Sequence, residues 1–315
     1  MKTVNQSYSR FQKGVALITA MMVMSLATIT AVSMTAEQQV YFRRTENILL
    51  HQQAYLYLLS AEDFAKIVLQ DDFKKNQFDS FKDDWAGDEV VFPVQEGVLS
   101  GKIEDLQGKF NINNFFTLDK PKEWDVNRLR KLLTLNKLSP DLANAIIDWI
   151  DVNEEPSFPD GAEDVDYLRG DQPYRAGNGM MGSITELRYI KGIDYDAYQA
   201  LSSALVALPA SGTPININTA PPIVLQMIID PLTDTEAKEL QQDLAENPLS
   251  DPQDLIAHPL VKDKQVDLNG LSVESSYFLL RSYAEVGRAK SRMDSVIHRF
   301  NDKTINVVLR SQGGL

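Results

Sequence analysis

Nine acids, Asp148, Asp151, Glu154, Glu155, Asp160, Glu163, Asp164, Asp166 and Asp171, share one turn-rich stretch with a single base, Arg169. Carboxylates so crowded repel one another unless something neutralises them. Hard oxygens at irregular spacing suit Ca²⁺, which takes roughly six to eight oxygen ligands in flexible geometry. The spacing is not that of an EF-hand. Asp151-Val152-Asn153-Glu154-Glu155 opens like one, but Pro156 stands where that loop turns on glycine. A plain solvated acidic loop fits the same composition, so these residues alone leave the choice open.

Other chemistry is poorly served. The chain has no cysteine, which removes disulfides, thiolate metal sites and thiol nucleophiles together. Its three histidines, His51, His258 and His298, are far apart in sequence. There is no nucleophile-elbow sequence, no glycine-rich phosphate loop and no His-Glu-x-x-His. No enzyme is expected. The 315 residues carry a net charge of -13, which disfavours phosphate binding because nucleic-acid affinity comes largely from Lys and Arg.

The element that must position everything else is an apolar run. Val15 to Ala36 contains no charged residue, and the only charges before it are Lys2, Arg10 and Lys13. A helix over these residues reaches about 33 Å, enough for a bilayer core of about 30 Å. Cations before the span predict a cytoplasmic N-terminus, with the bulk of the chain on the far side. A cleaved secretory signal fits poorly. The run exceeds a signal's apolar core, and Met34-Thr35-Ala36 is not an Ala-x-Ala site.

Neither Pro nor Gly occurs between Val15 and Leu69. Beyond the membrane length, Ala54, Leu58, Ala61, Ala65 and Val68 recur at spacings of three and four, one face of an amphipathic helix. A continuous helix of about 55 residues and about 80 Å is expected. Its first half (15–36) lies in lipid, and its second (37–70) lays an apolar stripe on a globular body.

The body reads as α+β. Glu89–Val94 and Gly97–Asp105 read as strands around a Gln-Glu-Gly turn, and Ser276–Val286, Lys290–Phe300 and Thr304–Arg310 as a meander closing the same sheet. Residues 71–116 and 271–315 thus make the sheet. Between them, residues 117–270 read as an all-α insert, with helices expected over Glu123–Asn136, Asp141–Ile150, Ile184–Ile190, Tyr195–Val206, Ala220–Ile229, Thr233–Ala245 and Asp251–Ala257.

A short basic leader ending in Lys13-Gly14, then an apolar helix continuing as an amphipathic one, resembles the type IV pilin and pseudopilin class. The resemblance implies that a prepilin peptidase cuts after Gly14, removing residues 1–14, and methylates Val15. Most members carry Glu at the fifth mature position, where this chain has Thr19. That departure, the helical insert, and the sequences Gln107–Asn113, Asp148-Trp149-Ile150-Asp151, Gly161-Ala162-Glu163-Asp164, Glu186-Leu187, Ile215–Ala220 and Arg299 together resemble the K-type minor pseudopilins of the type II secretion system. The resemblance implies a long N-terminal helix packed on an antiparallel sheet and interrupted by the insert. It also implies a place at the pseudopilus tip, an inner-membrane anchor, and a periplasmic body. The implied partners are the minor pseudopilins I and J, with H and the major pseudopilin. It implies calcium in the insert, and the residues carried over as ligands are Asp151, Asn153, Glu163, Asp164 and Asn178.

Two rivals compete. A type IV pilus minor pilin shares the N-terminal features. A membrane-anchored DNA-uptake receptor is suggested by Ile184–Ile193 with Tyr195–Leu205, which has the form of a helix-hairpin-helix, and by Asn216–Ala220 with Val224-Leu225. Charge opposes the second: Arg188 and Lys191 face Glu186, and the segment to Gly270 adds Lys238, Lys262 and Lys264 among many acids. A phosphate-contacting hairpin needs more cations at its turn, so no nucleic-acid partner is expected.

Overall fold

The structure, a computed structural model, describes residues 9–117, 120–170, 172–300, 302 and 304–312, with side chains from Gly14 onward. Residues 1–8 of the expected leader, with Lys2, and Asp171 of the acidic stretch lie outside the described residues. Helix α1 runs from Ser9 to Lys75 without a break, 67 residues and about 100 Å. It therefore begins before Gly14-Val15 and continues past the expected end at Gln70. Nothing in the intervening sequence stops it, and Lys74 and Lys75 suit the negative end of its dipole.

The membrane-length part of α1 touches no other element, and Val15, Leu17, Ile18 and Met22 are all more than 60% exposed. Its hydroxyls bond back into its own backbone. Thr19 Oγ1 donates to the carbonyls of Val15 (3.1 Å) and Ala16 (3.0 Å). Ser25, Thr28, Thr30 and Thr35 do likewise. Bonded in this way, these five hydroxyls can lie in hydrocarbon.

Further on, Leu50, Ala54, Leu58, Ala61, Ala65 and Leu69 pack against Phe278, Leu280, Ala284, Val286, Met293 and Ile297 of the sheet. That sheet is antiparallel and five-stranded, in the order β1-β2-β9-β10-β11: β1 Val90–Val94, β2 Gly97–Asp105, β9 Tyr277–Val286, β10 Ala289–Arg299 and β11 Ile305–Ser311. The expected strand bounds hold to within about one residue. Two ends are distinguishable. At one, Gly287 lies against Leu50 and Arg288 pairs with Glu46, close to the membrane-length part of α1. At the other, Asp105 faces Phe278, and Arg299 meets Asp72 of the last turns of α1 and Asp79 of the loop after them.

The chain leaves β2 and re-enters β9 at this second, membrane-distal end, and the insert lies between them. Its helices are α2 Glu123–Leu135, α3 Leu142–Ile150, α4 Asp164–Tyr167, α5 Tyr195–Ser202, α6 Pro222–Ile228 and α7 Asp234–Glu246. They enclose a core of their own around Phe110, Phe115, Leu129, Leu132, Ile146, Ile150 and Leu187. The insert is helical as expected, with differences of detail. Ile184–Tyr189 and Pro252–Ala257 are 3-10 turns. Three two-residue ladders also occur: β3 (Phe110–Asn111) with β4 (Leu205–Val206), β5 (Ile215–Asn216) with β8 (Leu271–Ser272), and β6 (Ile229–Asp230) with β7 (Gln265–Val266).

The asparagines of the two Asn-Ile-Asn repeats are buried hydrogen-bond hubs. Asn113 bonds Met181 through both ends of its amide and also donates to the carbonyl of Leu208. Asn218 clasps Leu249 through its N–H and carbonyl together. The segment Asn216–Ala220 is therefore interior scaffolding, with Ile217 and Ala220 fully buried. At the other hairpin look-alike, Lys191 pairs with Asp166 at 3.3 Å and Arg188 lies 5.9 Å from the Tyr198 ring.

Candidate metal centre

The acidic stretch hangs from the C-terminal end of α3. Asp148 is fully buried on that helix, and its Oδ2 accepts from the backbone N–H groups of Ser157 and Ala162, both at 2.9 Å. This carboxylate curls the following chain back onto α3. Gly161 makes the approach possible, because a Cβ there would stand 2.2 Å from Asp148 Oδ2 and 2.3 Å from the Ser157 carbonyl. The return brings in Glu163, 2% exposed, at the N-cap of α4. Asn178 enters from a third segment with φ +43, its N–H bonded to the Trp149 carbonyl at 2.9 Å. Aromatic packing holds the loops together: Tyr167 lies 5.3 Å from both Trp149 and Tyr174, centroid to centroid.

Four oxygens here are buried without a hydrogen-bond partner: Asp148 Oδ1, both carboxylate oxygens of Glu163, and Asn178 Oδ1. Folded chains rarely bury such atoms unsatisfied. The electrostatics agree. Burial, then the negative charge of Asp148, Asp151, Asp164 and Glu154, pushes the Glu163 carboxyl up to about 8. Burial, then Asp148, pushes Asp151 up to about 6. The fold thus assembles a negative, desolvated pocket of hard oxygens. The carboxylates do not close to within 4.8 Å as a trio, so carboxylates alone do not make up a ligand set here. Residues of this kind fit a calcium-like cation.

The residues carried over from the resemblance divide. Glu163 and Asp151 lie close enough to Asp148 for its charge to act on both, and Asn178 is bonded to the backbone of Trp149, the residue next to Asp148. Asn153 is exposed, and its Oδ1 accepts from Glu155 N–H in a local turn. Asp164 is engaged in structure: Oδ1 accepts from Ala176 N–H at 2.8 Å, and Oδ2 lies 3.5 Å from Arg175. Asp148 stands at the middle of this group, yet it was not among the residues carried over as ligands. The available signal was its place in the apolar run Ala145-Ile146-Ile147-Asp148-Trp149-Ile150, where a carboxylate is buried with the helix face.

A membrane-length helix that continues across an antiparallel sheet, with a helical insert spliced between two central strands, defines a pilin-type subunit. Family models described as "Type II secretion system (T2SS), protein K" match residues 108–210 and 215–274, which together cover nearly all of the insert and take in the acidic stretch. Curated relatives named "Type II secretion system protein K" align over nearly the full length. That of Aeromonas hydrophila is 31% identical over 97% of this chain and 98% of its own. That of Pectobacterium carotovorum is 32% identical over 96% and 97%, and that of Pseudomonas aeruginosa 30% over 97% and 95%. Among solved structures, a chain of the GspK-GspI-GspJ complex from enterotoxigenic Escherichia coli superposes with a TM-score of 0.76 at 28% identity, covering 86% of this chain and 99% of that one. The chain belongs to the type II secretion system protein K family, whose members are structural components of the secretion apparatus.

Proposed function

We propose that this protein is the minor pseudopilin that caps the tip of a type II secretion pseudopilus and helps initiate its assembly for export across the outer membrane. The carrying observation is where the insert leaves the body. It departs from the end of the sheet that holds Asp105 and Arg299, opposite the end that holds Leu50 and Glu46. In a filament whose subunits stack along their long helices, an outgrowth of residues 117–270 at that end occupies the place of the next subunit. Thr19 agrees with it. Its hydroxyl is satisfied within its own helix, so the subunit offers no charge for a neighbour's amine to meet.

The chain sits in the inner membrane through α1 as a single span, with a cytoplasmic N-terminus and a periplasmic body. A prepilin peptidase cuts between Gly14 and Val15, and Val15 becomes the methylated terminus. Pseudopilins I and J are its partners, as in the complex that contains its structural neighbour; H and the major pseudopilin follow below them. Calcium, held by Glu163, Asp148, Asp151 and Asn178, supplies the positive charge that closes the acidic stretch onto α3.

Mass spectrometry of the protein from secreting cells tests the processing. The expected mature terminus is methylated Val15, and an intact Met1 contradicts it. Co-purification of the mature chain with tagged I and J tests the placement, and a preparation in which it travels with the major pseudopilin alone opposes it.

A further inference from the structure

A second group of carboxylates lies outside the insert, at the membrane-distal end of α1. Asp72 stands in the last turns of that helix and is 2% exposed. Asp79, 1% exposed, and half-buried Asp83 come from the loop that follows. One oxygen from each lies within 4.8 Å of the other two, the one such trio among the described residues.

Asp83 is held in place on both sides, Oδ1 accepting from Asn76 Nδ2 at 3.2 Å and Oδ2 from Ser80 N–H at 2.7 Å. Asp79 Oδ2 accepts from Ser275 N–H at 2.6 Å and from Arg299 Nη2. The remaining oxygens are aimed inward and unused: Asp79 Oδ1 and Asp72 Oδ2 are buried with no hydrogen-bond partner. The guanidinium of Arg299 does not reach far enough, since Nη1 is 3.9 Å from Asp72 Oδ2 and itself lacks an acceptor. Lys75, the other cation acting on Asp72, is paired with Asp84.

Three carboxylates against one guanidinium leave two negative charges in excess in a desolvated place. Burial, then repulsion from Asp83 and Asp79, raises Asp72 to about 7, and burial raises Asp79 to about 6. Two bound protons would remove the excess but would create two O–H donors in need of acceptors. One divalent cation removes it and uses the orphan oxygens. A cleft lined by Phe73, Lys75, Asn76 and Arg299 opens beside the trio, on the side of Arg299.

We propose that Asp72, Asp79 and Asp83 form a further divalent-cation site, with calcium's oxygen chemistry, at the joint between α1, the sheet and the insert. The joint is literal. Asp79 is bonded by its carbonyl to Asn216 and Asn218 of the insert, at 3.0 and 3.4 Å, and by its side chain to Ser275 and to Arg299 of β10. An ion here fixes the angle at which the insert stands on the body.

The test counts calcium bound per full-length chain in detergent by equilibrium dialysis with radioactive calcium, beside thermal melts with calcium or chelator. Glu163→Gln disables the insert centre and is expected to leave one ion bound and a calcium-dependent rise in Tm. Adding Asp83→Asn is expected to remove that ion and that rise. Asp72→Asn guards against misfolding as the explanation. It neutralises a buried carboxylate that has no hydrogen bond, so it is expected to melt no lower than wild type in chelator while still losing the ion. Glu163→Gln binding no calcium overturns the proposal, as does a count unchanged by both Asp83→Asn and Asp72→Asn. Should Glu163→Gln keep the wild-type count while Asp83→Asn loses an ion, the insert centre fails and this site stands.

Discussion

Arg310 and Glu62 are joined at two points, Nε and Nη2 of the arginine each donating to the carboxylate at 2.7 Å. Glu62 is 2% exposed on the sheet-facing side of α1 and also accepts from Ser295 Oγ of β10 at 2.7 Å. The pair ties the edge strand β11 and its neighbour to the long helix. A two-point pair of this kind is geometrically specific as well as strong.

The two partners should not be equivalent. Arg310→Ala strands a buried carboxylate with only a hydroxyl for company, a loss of about 3–5 kcal/mol by analogy with other broken buried pairs. Glu62→Ala leaves an arginine whose side chain is 46% exposed and can turn to water, so its loss should be smaller. Urea unfolding of the full chain in detergent checks the order, and equal losses would show that burial of Glu62 does not set the energetics.

Calcium binding at the insert should release protons. With Glu163 at about 8 in the metal-free fold, against the ordinary carboxyl value of 4.5, folding favours the protonated form. That contribution is complete below about pH 4.5 and is lost as pH rises through about 8. In chelator, Tm should therefore fall as pH rises through this window, and calcium should flatten the fall. Glu163→Gln should shrink it too, leaving the part that Asp72, Asp79 and Asp151 contribute with the same sign. A Tm that rises with pH in chelator would contradict the assignment.

Gly161→Ala should damage the same centre without replacing a ligand. Its methyl group cannot fit beside Asp148 Oδ2 and the Ser157 carbonyl. Overpacking of this kind costs about 1–3 kcal/mol, and the calcium-dependent rise in Tm should shrink with it. A melt indistinguishable from wild type would mean that the turn is looser than it stands here.

At Thr19, Thr19→Val removes a hydroxyl that bonds only its own helix, so secretion should be unchanged. Thr19→Glu places a carboxylate in lipid at a cost of about 2.5–3.5 kcal/mol and should lower secretion of exoproteins into the medium. Normal secretion by Thr19→Glu would remove the argument that this position excludes a charge.

The main lines of the fold were legible because they rest on periodicities. An uncharged run, an apolar stripe at spacings of three and four, and alternating strands around Gln95-Glu96 and Gly287-Arg288 each name an element directly. The C-terminal end of α1 was not legible, because residues 71–75 are charged except for Phe73 and sequence alone does not distinguish a charged loop from a solvated last turn. Within the insert, hydrogen bonds between distant residues, such as Asn113 with Met181, shorten helices into 3-10 turns, and local propensity carries no trace of them. The candidate metal centre shows the same limit. Counting acids located the stretch. The division of labour, with Asp148 and Glu163 turned inward while Asn153 and Asp164 stabilise turns, depends on which oxygens the backbone N–H groups claim first. The trio of Asp72, Asp79 and Asp83 was invisible for a related reason: its spacing resembles ordinary loop acidity until Arg299 and Ser275 close over it.

Because the chain contains no cysteine, one engineered cysteine can be labelled without ambiguity. Tyr195→Cys, at an exposed position on the insert, should be labelled with maleimide-gold on isolated pseudopili and located by electron microscopy. A tip subunit predicts gold at one end of each filament and none along its length. Gold spaced along the shaft would contradict it.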